Sequence, residues 1–193
     1  VEFYSSLRTA QSMERCDVAI VLIDAVEGCT LQDVKILERA VELGKGAVLG
    51  VNKWDLIEKD DRTTATTTRN IHDRFPSLRN YPIVFISALT GQRAWRTVDT
   101  ALEVYDRRGS RISTTELNGF LKDLNAHSPP HSRGGRIARM SYCVQPRTAP
   151  PTILFFTSRP RGVLEHYRRF LERQLREHFD FLGTPMRIIF RQK

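Results

Sequence analysis

Ala47-Val48-Leu49-Gly50-Val51-Asn52-Lys53-Trp54-Asp55 decides the fold: a short apolar run followed at once by four residues with polar tasks. Such a run, bounded by turn chemistry, reads as a buried strand. In open α/β sheets, ligands bind just beyond the carboxyl ends of the strands. The Asp55 carboxylate is acceptor-only when ionised and can take two hydrogen bonds at once. Guanine offers two neighbouring donors, its ring N1–H and exocyclic amine, whereas adenine has an acceptor at N1 and no amine beside it. A site built to pair with those donors rejects a base lacking them, because its charge would be left desolvated and unpaired. Asn52 brings an amide that can hold neighbouring polar groups, and Lys53 an aliphatic stem that can lie over the face of a base.

By residue frequencies alone, an Asn-Lys-x-Asp quartet arises in roughly a few per cent of chains this long. The plain alternative is an Asn/Asp-rich turn leaving a strand. A second strand end decides between them. Ile83-Val84-Phe85-Ile86 is another short apolar run, followed directly by Ser87-Ala88-Leu89-Thr90-Gly91. In this order the two motifs resemble those of P-loop GTPases, where the quartet reads guanine and amides of a Ser-Ala-x element contact the guanine carbonyl. The resemblance assigns nucleotide contact to Asn52, Lys53, Asp55, Ser87, Ala88 and Leu89.

The flanking text carries the likeness further: Val1-Glu2-Phe3-Tyr4-Ser5, Val21-Leu22-Ile23-Asp24-Ala25, Arg111-Ile112-Ser113-Thr114, Pro150-Pro151-Thr152, Tyr167 to Glu172 and Gly183 to Arg187. Over essentially its whole length the chain resembles the Der (EngA) family, bacterial GTPases with two tandem G domains and a C-terminal KH-like domain. The resemblance implies a cytoplasmic GTPase acting in assembly of the large ribosomal subunit, with GTP/GDP as ligand and ribosomal RNA or the large subunit as partner. Composition and spacing say nothing of that role.

None of the eleven glycines falls in a G-x-x-x-x-G-K-[ST] phosphate loop, whose amides cradle phosphates and whose hydroxyl binds magnesium. Asp106 to Gly109 and Asp180 to Gly183 have Asp-x-x-Gly spacing but come after helical stretches, and read as accidents. In the family, the phosphate loop and both switch regions lie upstream of the residues matching Val1. The chain is therefore expected to be the rear half of a second G domain plus the C-terminal domain. The upstream G domains would be partners within one protein, and Mg2+ would bind only with that missing part. The strands ending at Asp24, Asn52 and about Ile86 would be the last three of a six-stranded sheet. That leaves Val18 to Ile23 as an apolar, unpaired edge prone to association.

At 193 residues the chain has room for one large or two small domains. No apolar run reaches membrane-spanning length, so no membrane partner is expected, and no signal peptide pattern opens the chain. Cys16, Cys29 and Cys143 are odd in number and share no metal spacing, which points to reduced thiols in a cytosolic setting. The net charge of +8 is unevenly divided. Residues 1 to 108 carry fifteen basic against sixteen acidic side chains, and residues 109 to 193 fifteen against six. An excess confined to the second half points to a polyanion partner there, or to a solubilising arginine-rich face.

The fold expected is α/β, an incomplete Rossmann-like three-layer P-loop GTPase fragment over residues 1–109, followed by an α+β KH-like domain over 110–193. In the first part a helix over Ser5 to Cys16 precedes strand Val18 to Asp24. Thr30-Leu-Gln-Asp33 is a capping-box variant opening a helix with Val34, Leu37 and Val41 on one face and Gly44 as its stop. The spacing of Trp95, Val98, Leu102 and Tyr105 predicts a helix packed under the sheet by those side chains. In the second part Ser113-Thr-Thr-Glu116 is a capping box, and Leu117, Phe120, Leu121 and Leu124 form an apolar stripe. Arg136 to Gln145 alternates, with Ala138, Met140, Tyr142 and Val144 expected inward and Arg139, Ser141 and Gln145 outward. A strand over Thr152 to Thr157, a helix over Arg161 to His178 and a strand over Met186 to Arg191 complete the order α-β-β-α-β.

That order resembles a KH domain without its Gly-x-x-Gly clamp; Gly134-Gly135 precedes a strand instead of joining two helices. Phe155 and Phe156 are expected in the core, so no outward aromatic display is foreseen. RNA contact would then rest on Arg133, Arg136, Arg139, Arg147, Arg168, Arg169, Arg173 and Arg176 reaching phosphates, giving salt-sensitive, shape-directed binding. His127 and His131 have metal-ligand spacing, but Pro129-Pro130 argues against a helix there. Asp24 reads as a turn residue, and no nucleophile triad or acid–base carboxylate pair stands out. The rival class is an RNA- or ribosome-binding module whose G-domain remnant is only a scaffold.

Overall fold

A computed structural model of the chain describes residues 11–58, 60–129 and 138–192. The chain forms two compact units. One comprises Val1–Arg107 with Leu182–Pro185, the other Arg108–Phe181 with Met186–Lys193. The start of the expected first helix, Gly134-Gly135, Arg133, Arg136 and His131 lie outside the described residues; residues 11–15 are helical.

The first unit holds a parallel sheet in the order β1 (Val18–Asp24), β2 (Gly46–Asn52), β3 (Ile83–Phe85). Six of the seven β2 residues are buried, as a central parallel strand covered on both faces requires. On one face, Val21, Ile23, Leu49 and Val51 pack with Val34 and Leu37 of α1 (Leu31–Glu42) and Ile71 of α2 (Thr63–Arg74). Helix α1 starts where expected: Thr30 accepts from the Asp33 amide and Asp33 takes the Thr30 amide in return. It stops at Gly44, whose φ of +75° favours glycine.

The other face corrects an expectation. Helix α3 (Ala94–Gly109) meets the sheet through Thr97, Thr100 and Val104, while Trp95, Val98, Leu102 and Tyr105 are exposed, Trp95 by 80%. The reason is close approach. A Cβ built on Gly46 would stand 2.6 Å from Val104 Cγ1, so only the small-residue face of α3 fits against β2. The bulky stripe lies to one side, and β1 is the sheet edge, with Ile20 and Leu22 exposed on that face.

In the second unit, α4 (Thr114–His127) buries its Leu117, Phe120, Leu121 and Leu124 stripe and carries the Ser113–Glu116 capping box. The sheet runs β4 (Met140–Thr148), β5 (Pro151–Thr157), β6 (Arg187–Gln192), with β4–β5 antiparallel and β5–β6 parallel. Helix α5 (Glu165–His178) begins four residues later than expected, after a 3-10 turn at Pro160–Gly162, and buries Tyr167, Leu171 and Leu175. Leu164 becomes its N-cap and is half-buried.

Strand β4 departs from simple alternation. The register shifts between Met140 and Tyr142 and again between Val144 and Arg147. Each irregularity inserts a residue and re-aims the side chains beyond it. Tyr142 therefore points outward while Cys143 takes the core position, and Gln145, expected in solvent, is buried. Gln145 accepts from the Ile112 amide at 2.7 Å and donates to the Ser110 carbonyl at 3.0 Å. Phe155 is core, but Phe156 is half-exposed, 6.0 Å from the Tyr142 ring.

Candidate nucleotide site

Three parallel strands end level, and the turns leaving them converge. Register places Asp24 beside Asn52 and Val51 beside Phe85. The chain leaves β2 through Lys53, held left-handed at φ 61°, into a 3-10 turn at Trp54–Leu56. Trp54 anchors that turn: it is buried, 4.4 Å from the Phe85 ring, and its amide donates to the Ile86 carbonyl at 3.0 Å. With the indole locked inward, the residues on either side are presented at the strand end.

Asn52 joins the two motifs. Its Oδ1 accepts from the Ala88 amide at 2.9 Å across 36 residues of sequence. Ser87 is fully buried; its amide donates to the Gln92 carbonyl at 3.0 Å and its hydroxyl oxygen accepts from the Thr90 amide at 3.2 Å. That closed loop leaves Ala88 exposed and Leu89 88% exposed, so the backbone past Ser87 faces outward with little side chain at Ala88 to obstruct it.

Asp55 is half-buried, and its Oδ1 is shielded from solvent with no hydrogen-bond partner in the protein. An unsatisfied buried acceptor costs about 1–3 kcal/mol, more when charged. Few natural groups are left so, and each calls for a partner outside the chain or a functional reason.

Lys53 carries an interaction that sequence reading missed. Its Nζ lies 2.5 Å from Asp24 Oδ2, with the lysine side chain 55% and the aspartate 19% exposed. The lysine bond, then the Val26 amide, holds the Asp24 carboxyl below its ordinary range; Asp24 in turn raises Lys53. Asp24 is also the turn residue expected, accepting from the Val26 and Glu27 amides at 2.8 and 3.4 Å through Oδ1. One oxygen shapes the turn and the other holds the cation. The available signal was an Asp ending the strand next to the one that ends in Asn52.

The basic second unit is sorted by the structure as well. On α5, Arg168 and Arg169 pair with Glu165, Arg173 with Glu177 and Arg176 with Glu172. Arg176 is mostly buried and also donates to the Phe181 carbonyl at 2.9 Å. These four guanidinium groups, expected to reach phosphates, share three carboxylates of their own helix. Arg139 and Arg147 are exposed on the strand side.

A parallel sheet whose middle strand ends in Asn-Lys-x-Asp, tied by hydrogen bond to a Ser-Ala-x loop on the next, defines a GTP-binding domain. Residues 1–120 match the family described as "Elongation factor Tu GTP binding domain". Residues 111–191 match "KH-domain-like of EngA bacterial GTPase enzymes, C-terminal". The GTPase Der of Chloroherpeton thalassium is 43% identical over the whole chain, and that of Chlorobium phaeobacteroides 46%. The chain belongs to the GTPase Der (EngA) family, and spans 44% of the length of either relative. Aquifex aeolicus Era bound to GDP and aluminium fluoride superposes with a TM-score of 0.43 at 21% identity, covering 95% of this chain and 67% of that one.

Proposed function

We propose that residues 46–56 and 86–89 form the guanine-selecting half of a GTPase nucleotide site, in a protein that hydrolyses GTP during large ribosomal subunit assembly. The observation that carries this reading is the convergence of the two strand-end motifs beside the Asp55 carboxylate, with Asn52 Oδ1 accepting from the Ala88 amide at 2.9 Å. The guanine N1–H and amine supply two adjacent donors for that carboxylate. Lys53 lays its stem over the base while Asp24 anchors its ammonium. Asn52 holds the 87–89 loop by taking the Ala88 amide, and with the Ser87 amide given to Gln92 it is the Leu89 amide that is left to reach the guanine carbonyl.

Base selection is this chain's share of the chemistry. Attack of water on the γ-phosphate needs groups that cradle the phosphates, and those, with Mg2+, fall to upstream portions of the intact protein. No cluster of three or more His, Cys, Asp or Glu suited to a metal occurs among the described residues. Residues 1–109 would serve the nucleotide and 110–193 ribosomal RNA. No described helix is long and apolar enough to cross a membrane; action on ribosomes in the cytoplasm is proposed from the family alone.

The test is nucleotide binding by the intact protein with fluorescent GDP, competed by xanthine and adenine nucleotides. Asp55→Ala weakens GDP by on the order of 10²–10⁴-fold, two charge-assisted hydrogen bonds being lost. Asp55→Asn moves the preference toward xanthine. An Asp55→Asn protein that binds GDP as wild type does would overturn the reading. The 193-residue chain alone turns over no GTP; brisk magnesium-dependent turnover by the pure chain would also overturn it.

A further inference from the structure

Three exposed arginines of the second unit, Arg147, Arg187 and Arg191, lie on its sheet. Strand register sets out the face of β4–β5–β6 that points away from the Ile153, Phe155 and Ile188 core. Tyr142 stands beside Phe156 and Phe156 beside Arg191; Leu154 stands beside Ile189; Arg147 stands beside Thr152 and Thr152 beside Arg187. An apolar middle row is thus bounded by arginines at one corner of one end row and both corners of the other. Tyr142 and Ile189 are each 42% exposed and the three arginines are exposed. None of those arginines has a carboxylate partner among the described residues, in contrast to the four paired arginines of α5.

We infer that this face binds single-stranded RNA, a surface that rests on the reading of ribosomal RNA as this unit's partner and goes beyond it. The chemistry discriminates between occupants. A protein surface would meet the apolar row but leave three unpaired guanidinium groups to satisfy. A duplex would meet the arginines but bury its bases away from the rings. Unpaired RNA meets both: a base stacks on Tyr142 and Phe156, and phosphates pass over Arg147, Arg187 and Arg191. Arg187 and Arg191 are four residues apart on one strand, about 13 Å by strand rise, so two different phosphates can be engaged. Stacking on exposed aromatics with arginine around them is how sequence-tolerant single-strand binders work. No Gly-x-x-Gly clamp is needed.

The experiment is fluorescence anisotropy of the full 193-residue chain with an end-labelled 12-nucleotide single-stranded RNA and with the same RNA as a duplex, over a range of salt. Wild type binds the single strand more tightly than the duplex. Tyr142→Ala weakens the single strand by about tenfold, and Tyr142→Phe, which keeps the ring, restores it. Changing Arg147, Arg187 or Arg191 to Gln lowers affinity and reduces the salt slope by about 0.7 each, whereas Arg169→Gln with Arg173→Gln leaves both unchanged. Binding that ignores Tyr142→Ala, or that favours the duplex, overturns the inference alone. So does unchanged RNA binding with altered sedimentation in Tyr142→Ala and Ile189→Ala, which would make the face a protein surface. Failure of wild type to bind any RNA overturns the RNA reading as well, without touching the guanine site.

Discussion

Asn118→Ala is expected to be among the most damaging single changes in the second unit, though Asn118 is only half-buried. Its side chain brackets one residue of an edge strand. Nδ2 donates to the Cys143 carbonyl at 2.9 Å and Oδ1 accepts from the Cys143 amide at 3.0 Å; Nδ2 also reaches the Thr114 carbonyl at 2.7 Å. Because β4 is an outer strand, no neighbouring strand takes the Cys143 groups, and Cys143 itself is fully buried. Alanine removes both partners. At about 1–3 kcal/mol per stranded buried group, partly offset by water entering the space, the loss should be about 2–4 kcal/mol. Native-state hydrogen exchange measured by NMR is the assay of choice, since two units need not unfold together. The Cys143 amide should lose protection by on the order of 10²-fold or more, and the opened edge should raise self-association. A variant with Cys143 protection within a factor of two of wild type would show that Asn118 does not hold the strand.

Asp24→Asn keeps an oxygen for the Val26 and Glu27 amides but cannot hold Lys53 by charge, so the intact protein should fold normally and bind GDP several-fold more weakly. In a Lys53→Met background the same change should cost nothing further, and an equal loss in both backgrounds would rule out the coupling. Ser113→Ala should lower the stability of the second unit by about 1 kcal/mol at neutral pH. The Ser113 hydroxyl, then its amide, depress the Glu116 carboxyl from its ordinary 4.5. A depressed carboxyl stabilises above its unfolded value and loses that contribution as pH falls through the folded one. The gap between wild type and Ser113→Ala, measured by thermal melting, should therefore narrow below pH 4.5 and not above it. Burial pushes the Cys29 and Cys143 thiols up to about 11 and about 12, while Cys16 is only partly buried. Ellman's reagent at pH 8 should consume Cys16 in the native chain and the other two only after unfolding.

Features set by neighbours in sequence were legible before the structure. Both capping boxes are four-residue devices, and β2 announces itself as an unbroken apolar run. What failed depended on packing partners. The periodicity of Trp95, Val98, Leu102 and Tyr105 correctly places them on one side of a helix, but says nothing of what covers that side. Gly46 of β2 admits the opposite, smaller face. Alternation along β4 broke because two register shifts re-aim its side chains, which hid the outward Tyr142. At the site, both motifs could be read, yet the Asn52–Ala88 bond and the Lys53–Asp24 pair span 36 and 29 positions of chain. Only strand register brings such residues together.

Lys53 sits where a side chain is unwelcome. Left-handed backbone costs a non-glycine residue roughly 1–2 kcal/mol, and here that strain is what aims an ammonium group along the strand end toward Asp24. Folding and ligand capture are therefore set against each other at a single position. Lys53→Gly should make the unliganded chain harder to melt while leaving the intact protein a poorer receptor for GDP, so selection for hardiness alone would erase the residue that recognition retains.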